Sequence, residues 1–107
     1  MKRRTFVSPA AQNDIRDAAR WYEDREVGLG LRFLSEVRGS LKRIAADRLT
    51  FPIVDEDVRR TLLHKFPYSI YFVGEREAVS VIAVLNQHRQ PGMWKSRRER
   101  SSASADD

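Results

Sequence analysis

The chain has 107 residues, 41% apolar and 33% charged, with 20 Lys and Arg against 15 Asp and Glu for a formal net charge of +5. That length suits one core and excludes a separate cofactor domain, and no apolar run approaches the roughly 18 to 20 residues that cross a bilayer. Cysteine is absent, which excludes disulfides and thiolate chemistry, and His64 and His88 lack a paired-ligand spacing, so neither a metal nor a cofactor is expected.

Residues 3–7 read as a short strand, closed by Ser8 and Pro9 as a serine N-cap with proline at the first helical position. Ala11, Ile15, Ala18 and Tyr22 then recur at helical spacing, predicting an amphipathic helix to about Arg25, with Asp14, Arg16, Asp17, Arg20 and Glu23 on its other faces. Gly28 and Gly30 break it. A second stripe, Leu34, Val37, Leu41 and Ile44 flanked by Phe33 and Ala45, completes a helical hairpin. Gly39 inside that helix costs about 1 kcal/mol relative to alanine and is expected to mark a close backbone approach.

From Asp47 to Asp57 the period is lost, and Phe51-Pro52 with the acidic Asp55-Glu56-Asp57 reads as a loop. Strands are predicted for Val58 to Phe66, Tyr68 to Val73 and Ala78 to Asn86, with Pro67 at a strand start or turn because it cannot donate a ladder hydrogen bond. Tyr68, Ile70 and Phe72 alternate onto one face and are expected in the core. In the last strand, alternation puts Val79, Val81, Ala83 and Leu85 on one face and Ile82 and Val84 on the other, the pattern of a central strand.

The order strand, helix, helix and three strands implies an α+β domain over residues 1–98, a helical hairpin packed on a mostly antiparallel four-stranded sheet. Residues 99–107 have too little apolar content to hold order and are expected to form a disordered tail. The N-terminal MKRRTFVSPAAQND has no hydrophobic signal region, so a cytoplasmic location and no membrane partner are expected. The positive charge favours anionic partners, nucleic acid or an acidic protein.

Val58-Arg59-Arg60, then Phe66-Pro67-Tyr68 with Ile70, then Val84-Leu85, Arg89, Pro91 and Trp94 follow one another in an order that resembles the RelE/ParE toxins of bacterial toxin–antitoxin systems. The departures are Asn86, where that pattern commonly has histidine, and Gln90, where it has aspartate. The resemblance implies the same order of elements. Its ParE-like branch implies a type II toxin of the plasmid-stabilisation kind that inhibits DNA gyrase by binding it, without catalytic residues. A cognate antitoxin would silence it, folding its disordered C-terminal part on the toxin, and operator DNA would be reached only through that antitoxin. The implied target-binding residues are Arg59, Arg60, Arg89, Trp94, Lys95, Arg97 and Arg98, and the implied antitoxin contacts are Trp21, Tyr22 and Phe33.

The RelE-like branch implies instead a ribosome-dependent mRNA endonuclease, with Arg60, Lys65, His88 and Arg89 as candidate catalytic residues. Cleavage by a 2′-hydroxyl builds charge on the phosphorane, which fixed cations stabilise, and it requires a proton carrier at the attacking or leaving oxygen. Strand alternation, however, sets Arg60 and His64 on one face and Arg59 and Lys65 on the other, and no tyrosine follows Tyr71 to act near the C-terminus. The non-enzymatic branch therefore fits these residues better. A degenerate toxin that binds only its antitoxin is the third alternative.

Overall fold

The computed structural model describes residues 4–75, 77–89 and 92–98. Strand β1 (Arg4–Val7) leads through Ser8 into helix α1 (Pro9–Arg25), where the Ser8 hydroxyl accepts the Ala11 N–H at 3.1 Å, as the cap requires. Helix α2 (Leu29–Ala46) follows after a turn whose Gly28 has φ 91°, a left-handed conformation that favours glycine. Gly28 brings no capping side chain. Glu23 of α1 supplies one, accepting the Gly28 and Gly30 N–H groups at 2.8 and 3.0 Å, so a carboxylate sits at the positive end of the α2 dipole.

Gly30 thus lies inside α2 and not in the break, and it is the close approach of the hairpin. A Cβ there would come within 2.6 Å of the Ala19 carbonyl oxygen. Gly39, expected in that role, has only the Arg43 guanidinium within reach of an added Cβ, at 3.7 Å.

The remainder is a short 3-10 turn at Arg48–Thr50 and strands β2 (Ile53–Asp55), β3 (Val58–Leu62), β4 (Tyr68–Gly74) and β5 (Ala78–Asn86). The sheet is five-stranded, in the order β1-β5-β4-β3-β2, with β1 parallel to β5 and the other pairs antiparallel. The extra strand is β2, which lies in the expected loop: three residues pairing on an edge are too short to show a period. Strand β3 ends at Leu62, so His64, Lys65 and Phe66 belong to a loop and the face assignment of His64 and Lys65 by alternation fails.

Two cores flank the sheet. The helix-side core gathers Ala11, Ala18, Phe33, Val37 and Ile44 with Ile70, Phe72, Val79, Val81 and Val84, and Tyr68 packs against it. The far-side core holds Val58, Tyr71, Val73, Ile82, Ala83, Leu85 and Trp94. Ala83 and Leu85 are therefore on the face opposite Val79 and Val81. The cause is a bulge: Tyr71 pairs with Ala83 but Phe72 with Val81, leaving Ile82 as the extra residue that reverses the alternation.

Among the described residues no helix is long and apolar enough to cross a membrane, and no group of three His, Cys, Asp or Glu could hold a metal ion. The expected tail at 99–107, together with Gln90 and Pro91 of the motif, lies outside the described residues.

Candidate functional site

One end of the molecule collects the C-terminal turns of α1, the first turns of α2, the loop between β3 and β4, and the turn after β5. The last two are tied together by Gln87, whose backbone N–H donates to Pro67 O at 2.8 Å and whose side chain donates to Tyr68 O at 3.2 Å. Tyr22 is the hub of an aromatic cluster there, with ring centroids 5.1 Å from Trp21, 5.5 Å from Phe33 and 4.7 Å from Phe66. Burial, then the nearby Tyr68, push the Tyr22 hydroxyl above its ordinary pKa, while Arg89 pulls the other way.

Between the helices and the β3–β4 loop lies a groove of about 780 Å³, with Tyr22, Leu29, Phe66 and Pro67 as apolar walls and Arg32, His64, Lys65, Ser35 and Glu36 as polar ones. The loop is held in place by Glu36, whose Oε1 accepts the His64 N–H at 2.6 Å and the Lys65 N–H at 3.0 Å. Those two amides lie past the end of β3, so the carboxylate replaces ladder partners that the sheet no longer offers.

The expected antitoxin contacts divide by burial. Trp21 is 38% exposed and Tyr22 half-buried, but Phe33 has no exposed surface and belongs to the core, because its position on the α2 stripe points it at the sheet. Trp21 lies beside two guanidinium groups, Arg25 at 3.8 Å and Arg89 at 5.7 Å from its ring centroid. Arg89, expected at the target-binding rim, is thus brought to the same place as Trp21.

The other expected target-binding residues are scattered. Arg59 shares the helix-side face with its partner Phe72 and donates to Phe51 O at 2.6 Å. Arg60 shares the far face with its partner Tyr71. Trp94 is 7% exposed and stacked on Tyr71 at 5.5 Å between centroids, so its ring is withdrawn from any docking surface by the apolar pocket it fills. Of the expected residues in the helical turn at 94–98, Lys95 is exposed and is in none of the ion pairs among the described residues.

Arg97 and Arg98 instead fasten that turn across the far face. Arg97 forms a two-pronged pair with Asp14 of α1, and Asp14 Oδ2 also accepts the Val84 N–H at 2.9 Å. Strand β1 pairs with β5 only as far as Val81, so Val84 is on an open edge that Asp14 closes. On the other side Arg98 donates to both oxygens of Asp57, at 2.9 and 2.7 Å. The Arg98 hydrogen bond holds the Asp57 carboxyl below its ordinary pKa, and in return Asp57 raises that of Arg98.

The RelE-like catalytic set converges only in part. Lys65 in the groove loop and the exposed His88 and Arg89 in the turn after β5 lie at the same end of the molecule, while Arg60 lies mid-strand on the far face. The Asn86 side chain caps that turn, Oδ1 accepting the His88 and Arg89 N–H groups at 2.9 and 3.1 Å, which gives the asparagine a local structural role.

Asp14, Glu23, Glu36 and Arg32 were not among the sequence candidates. For two of them a signal exists: Asp14 is three residues after Ala11 and four before Ala18, and Glu36 is three after Phe33, so each carboxylate lies beside apolar residues at helical spacing.

These elements define a class of fold, an α+β domain whose helical hairpin covers one face of a mostly antiparallel sheet while a C-terminal turn crosses the other. The same fold occurs in a chain of the structure described as the chromosomal ParDE TA system from P. aeruginosa, with a TM-score of 0.68 and 14% identity over 79% of this chain and 96% of that one. The likeness is one of fold, and it agrees with the architecture that the RelE/ParE resemblance implied. No protein-family model and no curated protein matches the sequence.

Proposed function

We propose that this chain is a ParE-like toxin of a type II toxin–antitoxin module, acting on DNA gyrase by binding and held silent by a cognate antitoxin. The observation that carries the reading is the fold held in common with the ParDE chain along 79% of this one. The position of Arg60 on the far face, apart from Lys65, His88 and Arg89, favours binding over RNA cleavage by that set, since in-line cleavage needs its cations and a proton carrier around one phosphate. Within this reading the target is met by Arg60, Arg89 and Lys95. Arg59, Trp94, Arg97 and Arg98 are spent on holding the fold.

The test is induced expression of the full chain in bacteria with DNA breakage and transcript cleavage followed in parallel. Growth arrest with DNA breaks supports the proposal. Arrest with cut transcripts would replace it by the endonuclease reading, and unimpaired growth by that of a toxin that only pairs with its antitoxin.

A further inference from the structure

The groove between the hairpin and the β3–β4 loop sets charges of both signs around an apolar wall. Tyr22, Leu29 and Phe66 form that wall, in a space of about 780 Å³. Arg32 and Lys65 supply two cations. Lys65 has no carboxylate within ion-pair distance among the described residues, and Arg32 has only an exposed 3.9 Å contact with Glu26 that solvent screens. The negative group is Glu36, whose Oε1 accepts the two loop amides while Oε2 is buried and has no hydrogen-bond partner among the described residues. Arg32 and Glu36 are four residues apart on α2, the spacing that makes helical side chains neighbours, yet each turns to a different partner and they form no ion pair with each other.

The charges select the occupant. An anion alone would be drawn to Arg32 and Lys65 but would leave Glu36 Oε2 without a donor and set a like charge beside it, and a cation alone would meet two cations. A ligand that carries a cationic N–H donor and a carboxylate a short distance apart satisfies all three groups, and an apolar substituent on it is covered by the wall. These are the parts of one free α-amino acid. We propose that the groove is a binding site for a free α-amino acid with a large apolar side chain. Its ammonium group donates to Glu36 Oε2, its carboxylate meets Arg32 and Lys65, and its side chain packs on Tyr22, Leu29 and Phe66. Glu36 then holds the loop with one oxygen and the ligand with the other. Such a site gives the chain a small-molecule ligand, which goes beyond the toxin reading and does not depend on it.

The test is calorimetry of the purified full chain with L-phenylalanine, accompanied by amide NMR spectra. Phenylalanine, a ligand of about a dozen non-hydrogen atoms, is expected to bind with a Kd of about 0.1 to 1 mM and to shift the His64 and Lys65 amide signals. N-acetyl-L-phenylalanine lacks the ammonium group and L-phenylalaninamide lacks the carboxylate, and each is expected to bind at least about tenfold more weakly. L-serine keeps both charged ends without the apolar side chain and is expected to lose as much. On the protein, Glu36→Gln keeps an acceptor for the loop but puts an NH₂ in place of Oε2, and Arg32→Gln removes one cation; each is expected to cost about tenfold. Arg32→Gln alters an exposed side chain, so it decides the matter even where Glu36→Gln fails to fold. Leucine or methionine bound with the same need for both charged ends supports the proposal equally. No binding of any apolar amino acid up to about 10 mM, equal binding of the acetylated or amidated ligand, indifference to Arg32→Gln, or shifts confined to residues outside the groove would each overturn it. Growth arrest on induction is read separately, so failure of the amino-acid site leaves the toxin reading standing, and a harmless chain leaves the site standing.

Discussion

Arg97 and Asp14, 83 residues apart, form a two-pronged ion pair that joins the C-terminal turn to α1, with Nη1 on Oδ2 and Nη2 on Oδ1. Both side chains are largely buried, at 14% and 13% exposure, and the same carboxylate satisfies the Val84 amide. Removing Asp14 therefore strands both a guanidinium and an edge N–H. Asp14→Ala is expected to destabilise the fold by about 2 to 4 kcal/mol, and Arg97→Ala by less because Val84 keeps its acceptor. Urea unfolding of the two variants and of the double variant checks this, and the double variant should fall short of the sum because the two residues share one interaction.

Trp94 is expected to act on stability and not on recognition. Its ring fills the far-side core on Tyr71, so Trp94→Ala should cost about 3 to 5 kcal/mol, while Trp94→Phe retains much of the stacking. The matched measurement is thermal unfolding beside target binding at a temperature where each variant is folded. By the same argument, truncation after Gln90 removes Trp94, Arg97 and Arg98 together and should unfold the chain, so loss of activity in that truncation says nothing about docking.

Acid should loosen the C-terminal turn from the side of Asp57. Its carboxyl titrates below the ordinary 3.8 in the folded chain because Arg98 hydrogen-bonds the ionised form. A depressed folded value means the stabilisation is present above 3.8 and is lost as pH falls through the folded value. Asp57→Asn should remove that part of the acid limb, measured as the urea midpoint against pH for both proteins. At the alkaline end the sign reverses: the Tyr22 hydroxyl is raised above 10.0, so its contribution is present below 10.0 and is lost as pH rises through the folded value. Tyr22→Phe should flatten the alkaline limb by that amount.

Gly30→Ala tests the hairpin. A methyl group there would collide with the Ala19 carbonyl and Glu23 Cβ, at 2.6 and 3.0 Å, and backbone oxygen cannot swing aside as a side chain can. The helices must separate, at an expected loss of about 1 to 3 kcal/mol despite alanine's better helix propensity. Gly39→Ala, by contrast, should stabilise α2 slightly, since an added Cβ would meet only the Arg43 guanidinium, at an ordinary contact distance of 3.7 Å.

How far these features could be read from the sequence follows from how locally each is determined. The Ser8 cap, the α1 and α2 stripes and the alternation of Tyr68, Ile70 and Phe72 depend on near neighbours, and all appear where periodicity places them. The Ile82 bulge does not, because it depends on which residue of β4 faces which of β5, and it moved Ala83 and Leu85 to the other face. The basic residues misled for a related reason. Arg97 and Arg98 look solvated until Asp14 and Asp57, distant in sequence, are folded against them. The loop at His64 and Lys65 likewise reads as strand until Glu36 is seen to take the amides a ladder would have used.

The central claim is met most directly by purified gyrase. The full-length chain is expected to inhibit supercoiling and to accumulate cleaved DNA, to retain that effect in the His88→Ala variant, and to lose much of it in the Arg60→Glu/Lys95→Glu variant, assayed at a temperature where its thermal unfolding curve shows it folded. Unchanged supercoiling in the presence of folded protein, together with transcript cleavage on ribosomes that His88→Ala abolishes, would contradict it.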